Sequence, residues 1–170
     1  MRTASGMTLV ELLVTVTLVA ILLAVGLPSY QGITTTNRMA SEMNALVGDL
    51  QYARGEAVKQ GQPVTVCASG NGTACSNSTN WANGWLMFSD ANGNRSVDSG
   101  EAILRVQPAL GSTDTLASSS LAAMTFNRNG FSSNAGSINL DDAAGSADRL
   151  QCVRISTVGY VQLLSGSSCP

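Results

Sequence analysis

The feature that most constrains this chain is an apolar segment close to its N-terminus, from Met7 to Leu27, in which Glu11 is the only charged residue. A helix of that length rises about 30 Å, which matches the hydrocarbon thickness of a bilayer. Arg2 precedes the segment, and the next basic residue is Arg38. Because basic residues favour the cytoplasmic side of a membrane, we expect the N-terminus in the cytoplasm and the residues after the segment outside it.

A cleavable secretory signal is the alternative interpretation, with Ala24-Val25-Gly26 as the cleavage region. Two features argue against it. The apolar run is longer than the hydrophobic region of an ordinary signal peptide. Glu11 also lies near the start of the run, and a carboxylate in hydrocarbon costs about 2–3 kcal/mol without a partner. A retained charge of that cost indicates a function.

The residues around this charge resemble the processing signal of type IV pilins and type II secretion pseudopilins. The segment reads Gly6-Met7-Thr-Leu-Val-Glu11. The resemblance implies that a prepilin peptidase cleaves between Gly6 and Met7 and that the new N-terminal residue is methylated. Family members usually carry Phe where this chain has Met7. Glu11 falls at the fifth position after the cut, and Pro28 falls where the family commonly has a helix-kinking proline.

The resemblance also implies a route of assembly. In a filament, Glu11 of one subunit would neutralise the terminal amine of a neighbour, because a paired carboxylate is tolerated in an apolar setting and an unpaired one is costly. The expected partners are other pilins or pseudopilins, the peptidase and the inner membrane. Apolar residues of the same helix would pack the filament core: Leu9, Leu12, Leu13, Val16, Leu18, Val19, Ile21 and Leu22.

After Pro28, apolar residues recur every three or four positions, a spacing typical of one helix face. They are Met39, Met43, Leu46, Val47, Leu50, Ala53, Ala57 and Val58. The charged residues largely take other faces: Arg38, Glu42, Asp49, Arg54 and Lys59. Gly61 can end a helix and Pro63 cannot extend one, so we predict a helix to about Gln60 whose apolar stripe covers a sheet.

Short apolar segments separated by Gly, Asn and Ser predict strands in the remaining chain. They are Val64–Ala68, Trp85–Ser89, Ala102–Val106, Met124–Phe126, Ser137–Leu140, Leu150–Ile155 and Tyr160–Leu164. Residues 110–120 are mostly small and predict a mobile loop. One long helix followed by strands predicts an α+β, pilin-like fold with an antiparallel sheet. The expected parts are a prepilin leader (1–6), a membrane helix (7–28), an amphipathic helix (29–60) and a periplasmic β domain (61–170).

Three segments of the β domain resemble the GspH/FimT group of minor pilins: Trp81–Asp90, Glu101–Arg105 and Phe126–Gly130. The resemblance implies a low-abundance structural subunit of a pilus or a type II secretion pseudopilus, placed at the filament tip or priming assembly. A ligand-binding tip subunit for DNA uptake or adhesion is the alternative function. A secreted or singly anchored domain without a filament partner is a third.

The four cysteines all follow the apolar segment, as expected of an oxidising compartment. Proximity along the chain favours the pairs Cys67–Cys75 and Cys152–Cys169 over the two other pairings. No pair has the spacing of a structural zinc site.

A stretch rich in oxygen ligands runs from Asp90 to Glu101. Its side chains fall at the spacing of a calcium loop: Asp90, Asn92, Asn94, Ser96, Asp98 and Glu101. Arg95, however, stands where such a loop needs Gly for its sharp turn, and the flanking segments predict strands. An Asx-rich turn between two strands is therefore the favoured interpretation, with Ca²⁺ binding as the alternative.

DNA binding is a further hypothesis. Some FimT-type proteins use a Gly-Arg-x-Arg motif near the C-terminus, and the corresponding stretch here is Gly159-Tyr-Val-Gln162, which lacks both arginines. Arg149, Arg154 and, as a further candidate, Arg128 remain as a weak basic patch, and Tyr160 offers a ring for stacking on a base. Arginines on exposed strands are the favoured interpretation.

Composition argues against catalysis and against a general affinity for nucleic acid. The net charge is −2 and the chain contains no His, which removes the commonest general base and metal ligand. No nucleophile–base pair is evident among the serines, and a Gly-x-Ser-x-Gly elbow is absent. We therefore expect no enzyme activity and no resident cofactor.

Overall fold

The computed structural model describes residues 6–169, so most of the expected leader lies outside the described residues. A single α-helix, α1, spans Leu9–Gln60. It begins at Leu9 because the hydroxyl of Thr8 caps it: the backbone N–H of Glu11 donates to Thr8 Oγ1 at 3.2 Å. It ends at Gln60, where Gly61 adopts a φ of +68°. The backbone is helical through residue 28, where the resemblance implied a helix-kinking proline.

The chain forms two compact units, Met1–Arg38 and Met39–Pro170, and their boundary lies within α1. In the first unit, the described residues from Leu9 onward form the first part of α1. The second unit combines the last part of α1 with two antiparallel four-stranded sheets. The α+β class predicted from the sequence, a long helix followed by antiparallel strands, is confirmed.

The strands of the second unit are β1 Val64–Ala68, β2 Gly84–Ser89, β3 Ile103–Pro108, β4 Thr115–Ala117, β5 Ala123–Phe126, β6 Gly136–Asp141, β7 Gln151–Ile155 and β8 Val161–Ser165. The first sheet has the order β3-β2-β1-β5, and the second has the order β4-β6-β7-β8. Two short 3₁₀ helices, Ala147–Arg149 and Gly166–Ser168, flank β7 and β8. The sequence predicted antiparallel strands without indicating that they divide between two sheets.

The predicted apolar stripe of the helix forms one side of the core. Six of its residues are fully buried: Met39, Met43, Leu46, Leu50, Ala53 and Ala57. Val58 was expected in the same stripe, but it is 54% exposed. It directly follows Ala57 and therefore lies about 100° around the helix from it. The sheets contribute their buried apolar residues to the same core, among them Trp85, Met87, Leu116, Phe126 and Ile138, and Trp81 joins them from the loop before β2.

The prediction of a loop over residues 110–120 is wrong in part, because β4 lies within it. Thr115, Leu116 and Ala117 pair with Asp141, Leu140 and Asn139 of β6. Leu116 is fully buried, while its two neighbours are exposed. A single large apolar residue between small residues gives too short an alternation to be recognised as a strand from sequence.

Candidate functional site

The first candidate site is the N-terminal part of α1, which is apolar on all sides. Its most apolar window of 18 residues has a mean hydropathy of 2.6, and none of that window is buried. Within the described residues, this is the one helix long and apolar enough to cross a membrane. A helix that is hydrophobic all round is normally covered by lipid or by other helices. The exposed side chains therefore indicate that something outside this single chain covers the helix.

Glu11 is the one charged residue in this surface. It occupies the third position of the helix, one turn beyond the cap at Thr8. A negatively charged carboxylate at this position interacts favourably with the N–H groups of the first helical turn. Across residues 6–169, its side chain has no hydrogen bond or ion pair. Met7 precedes the helix and is 66% exposed. The Glu11 carboxylate and the expected new N-terminus at Met7 are thus about one helical turn apart in sequence, and within the described part of the chain the carboxylate has no partner.

The acidic loop between β2 and β3 bonds mainly to itself and to its own backbone. Asp90 is fully buried, and its Oδ2 accepts hydrogen bonds from Thr65 Oγ1 at 2.6 Å and from the N–H of Arg95 at 3.1 Å. Glu101 accepts from the N–H groups of Ala91 and Asp98, both at 3.0 Å. These contacts fix the two ends of the loop to each other.

In the middle of the loop, Asp98 Oδ2 accepts from the side-chain amides of Asn92 at 2.8 Å and Asn94 at 2.7 Å. These two donors lower the pKa of Asp98 below its ordinary value. Arg95 adopts a φ of +61° and directs its guanidinium to Asn134. The described part of the chain holds no group of three His, Cys, Asp or Glu side chains arranged around a metal. The arrangement is that of a hydrogen-bonded turn closed by its own side chains and backbone.

The two arginines of the hypothetical nucleic-acid patch have different surroundings. Arg149 Nε donates to Asp142 Oδ2 at 2.6 Å, and its Nη2 donates to Ser146 Oγ at 2.7 Å. The N–H of Ser146, together with Arg149, lowers the pKa of Asp142. Arg154 instead lies on the exposed face of β7. The structure therefore uses Arg149 to brace the 142–149 turn and leaves Arg154 as a separate, exposed cation.

The stretch that begins at Gly159 has a structural explanation. Gly159 adopts a φ of +75°, and a Cβ atom there would collide with the carbonyl oxygen of Gly130. That same oxygen accepts a hydrogen bond from Arg54 Nε at 3.0 Å. The contact joins α1, the 127–130 turn and the β7–β8 turn. A cleft of about 540 Å³ opens beside it, and Tyr160 contributes to its lining with a side chain that is 60% exposed.

Both disulfides have the pairing favoured from the sequence: Cys67 bonds to Cys75, and Cys152 bonds to Cys169. The first links β1 to the loop that follows it. The second ties the C-terminal end of the described chain to β7. Each bond therefore joins a residue outside the strands to a strand of one of the sheets.

A buried acidic residue of α1 was missed by the sequence analysis. Asp49, expected on a face away from the stripe, is only 5% exposed. Its Oδ2 accepts from Trp85 Nε1 at 2.9 Å, and its Oδ1 pairs with Arg105 Nη1 at 2.7 Å. Arg105 also lies 4.3 Å from the ring centre of Tyr52. The sequence signal that could have indicated the burial of Asp49 is its position next to Leu50, at the border of the apolar stripe.

Two protein-family models match the sequence of this chain. Residues 42–159 match the model of the family described as "Type II transport protein GspH". Residues 1–27 match the "Prokaryotic N-terminal methylation motif". No curated protein sequence matches the chain significantly.

Two crystal structures of the type IV minor pilin FimU from Pseudomonas aeruginosa, strain PAO1, are similar to this chain. Their TM-scores are 0.62 and 0.56 at 26% and 27% sequence identity. The first comparison covers 81% of this chain and 96% of FimU, and the second covers 78% and 94%.

The minor pseudopilin EpsH of the Vibrio cholerae type 2 secretion system has a TM-score of 0.54 at 11% identity, over 75% of this chain and 97% of EpsH. At that identity the likeness concerns the fold alone. The GspH family model, by contrast, matches more than half of the chain directly. The chain therefore belongs to the GspH family, whose members are minor pilins and pseudopilins of type IV pili and type II secretion systems.

Proposed function

We propose that this protein is a processed filament subunit that enters a pilus or pseudopilus through the helix that begins at Leu9. The observation that carries the proposal is the unburied apolar surface of that helix together with the carboxylate of Glu11, which has no partner among residues 6–169. Lipid would cover the apolar surface before assembly, and neighbouring helices would cover it afterwards. The same segment matches the N-terminal methylation motif.

Processing would occur between Gly6 and Met7, on the cytoplasmic side of the inner membrane, and would leave a methylated amine at Met7. The helix begins at Leu9, so the mature chain would be helical almost from its first residue. A positive amine at the N-terminal end of a helix is unfavourable beside the helix dipole and in an apolar setting. A carboxylate from a neighbouring subunit would relieve both costs, and Glu11 is the charge available in this segment.

The likeness to a minor pilin, rather than the helix, supports the position that we propose within the filament. FimU is a type IV minor pilin, and its likeness covers most of this chain. We place this protein with the low-abundance subunits that prime assembly or occupy the filament tip. The proposed role of the β domain is structural, and we assign it no catalytic step.

Sheared filaments from cells that carry Glu11 variants test this proposal. Glu11→Ala is expected to reach the membrane normally and to be strongly depleted from the sheared fraction, because the amine of the neighbour then has no partner. Thr15→Ser is a matched control within the same helix, since the hydroxyl of Thr15 bonds only to the carbonyl of Leu12. Equal incorporation of Glu11→Ala and the control would refute the pairing.

A further inference from the structure

A second pocket, in the β domain, lies away from the helix and has a distinct chemical character. It has a volume of about 500 Å³ and is lined by the ends of β6 and β7, the β4–β5 connection and the C-terminal 3₁₀ helix. Most of its side-chain polar groups are hydroxyls. Such a volume suits a small ligand of one or two rings.

Arg154 supplies the one charge in this lining. In the sheet it stands opposite Ser137 on β6 and Gln162 on β8, so no carboxylate faces it across either strand pair. Within residues 6–169 its guanidinium has no hydrogen bond or ion pair. A free guanidinium presents a planar set of donors that matches a carboxylate in a two-point contact.

The hydroxyls around Arg154 are also available. In the described chain, the side chains of Ser119, Ser120, Ser137, Thr157 and Ser168 line the pocket without forming hydrogen bonds to other protein groups. Ser137 lies on the same sheet face as Arg154, because directly opposed residues of an antiparallel pair share a face. Each hydroxyl both donates and accepts, which is the complement of a sugar hydroxyl.

We propose that this pocket, which we call the Arg154 pocket, binds an acidic saccharide, with the sugar carboxylate on Arg154 and the sugar hydroxyls on the surrounding serines and Thr157. A bare anion would pair with the guanidinium and leave most of the hydroxyls without a ligand contact. A neutral sugar would hydrogen-bond to the hydroxyls and leave the guanidinium without an anionic partner. A uronic acid makes both kinds of contact from one ring. The Arg154 pocket thereby gives the β domain a ligand-binding role besides filament assembly.

Titration of the full-length chain in detergent micelles with D-glucuronate tests the proposal, with backbone amide shifts as the readout. The amides of residues 119–120, 137, 157 and 168 are expected to shift saturably. D-glucose, acetate and inorganic phosphate at the same ionic strength are expected to bind at least about tenfold more weakly, since each lacks one of the two sets of contacts.

Arg154→Gln should weaken glucuronate binding at least about tenfold, because it removes a charge-assisted contact. Arg154→Lys should restore only part of the loss, because lysine keeps the charge without the planar fork. Arg128→Gln is the matched control: Arg128 is exposed, lies outside the pocket and has no hydrogen bond or ion pair in the described structure. It should bind glucuronate like the unaltered chain.

Three results would overturn the proposal. The first is the absence of saturable shifts at these residues. The second is equal affinity for phosphate or acetate and for glucuronate, which would indicate a general anion site. The third is unchanged affinity in Arg154→Gln. None of these outcomes bears on filament entry, because the titration does not depend on processing or on Glu11.

Discussion

The indole N–H of Trp85 donates a hydrogen bond to Asp49 Oδ2 at 2.9 Å, between a helix and the strand that packs on it. Both residues are almost fully buried. The other oxygen of the same carboxylate pairs with Arg105 of β3. One acidic residue on α1 therefore satisfies a buried indole and fixes two adjacent strands of the first sheet.

Replacement of Asp49 with Ala should destabilise the β domain by about 2–4 kcal/mol, because it leaves the indole N–H of Trp85 without an acceptor and removes the partner of Arg105. Chemical denaturation measures the free energy of unfolding. Gln51→Ala, at a nearby exposed position of α1, is the control and should change the free energy by less than about 0.5 kcal/mol. Similar losses of unfolding free energy in the two variants would show that the contacts of Asp49 with Trp85 and Arg105 contribute little to stability.

Replacement of Gly159 with Ala should destabilise the protein through a steric clash as well as through backbone strain. Gly159 has a positive φ, and its added Cβ would overlap the carbonyl oxygen of Gly130. Gly145→Ala is a matched control, since Gly145 has a φ of +64° but no neighbouring atom within 4 Å of an added Cβ. The control should cost about 1 kcal/mol, the strain alone.

The Gly159 variant should lose clearly more free energy of unfolding than the Gly145 variant. It should also weaken the contact of Arg54 with Gly130, because the turn must move to admit the methyl group. Equal losses of unfolding free energy in the two variants would mean that the turn moves away from the new methyl group without a measurable loss of stability.

The Asp142–Arg149 pair predicts a pH dependence of stability. The pKa of Asp142 is lowered in the folded protein by the N–H of Ser146 and by Arg149, whereas in the unfolded chain an aspartate titrates near pH 4. The carboxylate therefore adds stability that is complete above about pH 4 and is lost as the pH falls through the lower, folded pKa.

The difference in unfolding free energy between the unaltered chain and Asp142→Asn measures this contribution. It should be largest near neutral pH and should shrink as the pH falls below about 4. A difference that stays constant between neutral pH and about pH 3 would contradict the assigned role of Asp142.

Much of this fold is predictable because its signals are local. Gly61 and Pro63 follow the end of α1, and the spacing of its apolar residues identifies its buried face. The four cysteines are near their partners in sequence. The division into two sheets is different, since it depends on which strands pair across distant parts of the chain, and no local pattern encodes it.

The features that the sequence did not predict depend on distant partners. Asp49 is buried because Trp85 and Arg105, remote in sequence, supply its hydrogen bonds. Both Arg149 and Arg154 are arginines near β7, yet Arg149 pairs with Asp142, while the side chain of Arg154 has no hydrogen bond or ion pair within residues 6–169. The free hydroxyls beside Arg154 come from five separate positions, so the pocket is visible only after the chain has folded.

The central claim is that the chain enters a filament as a processed subunit, and the intact mass of the native protein tests it most directly. The account predicts a mature chain that starts at Met7 and carries one added methyl group on its terminal amine. Fragmentation of the N-terminal peptide would locate that methyl group. A native chain that starts near Leu27, or one that keeps Met1, would contradict the account.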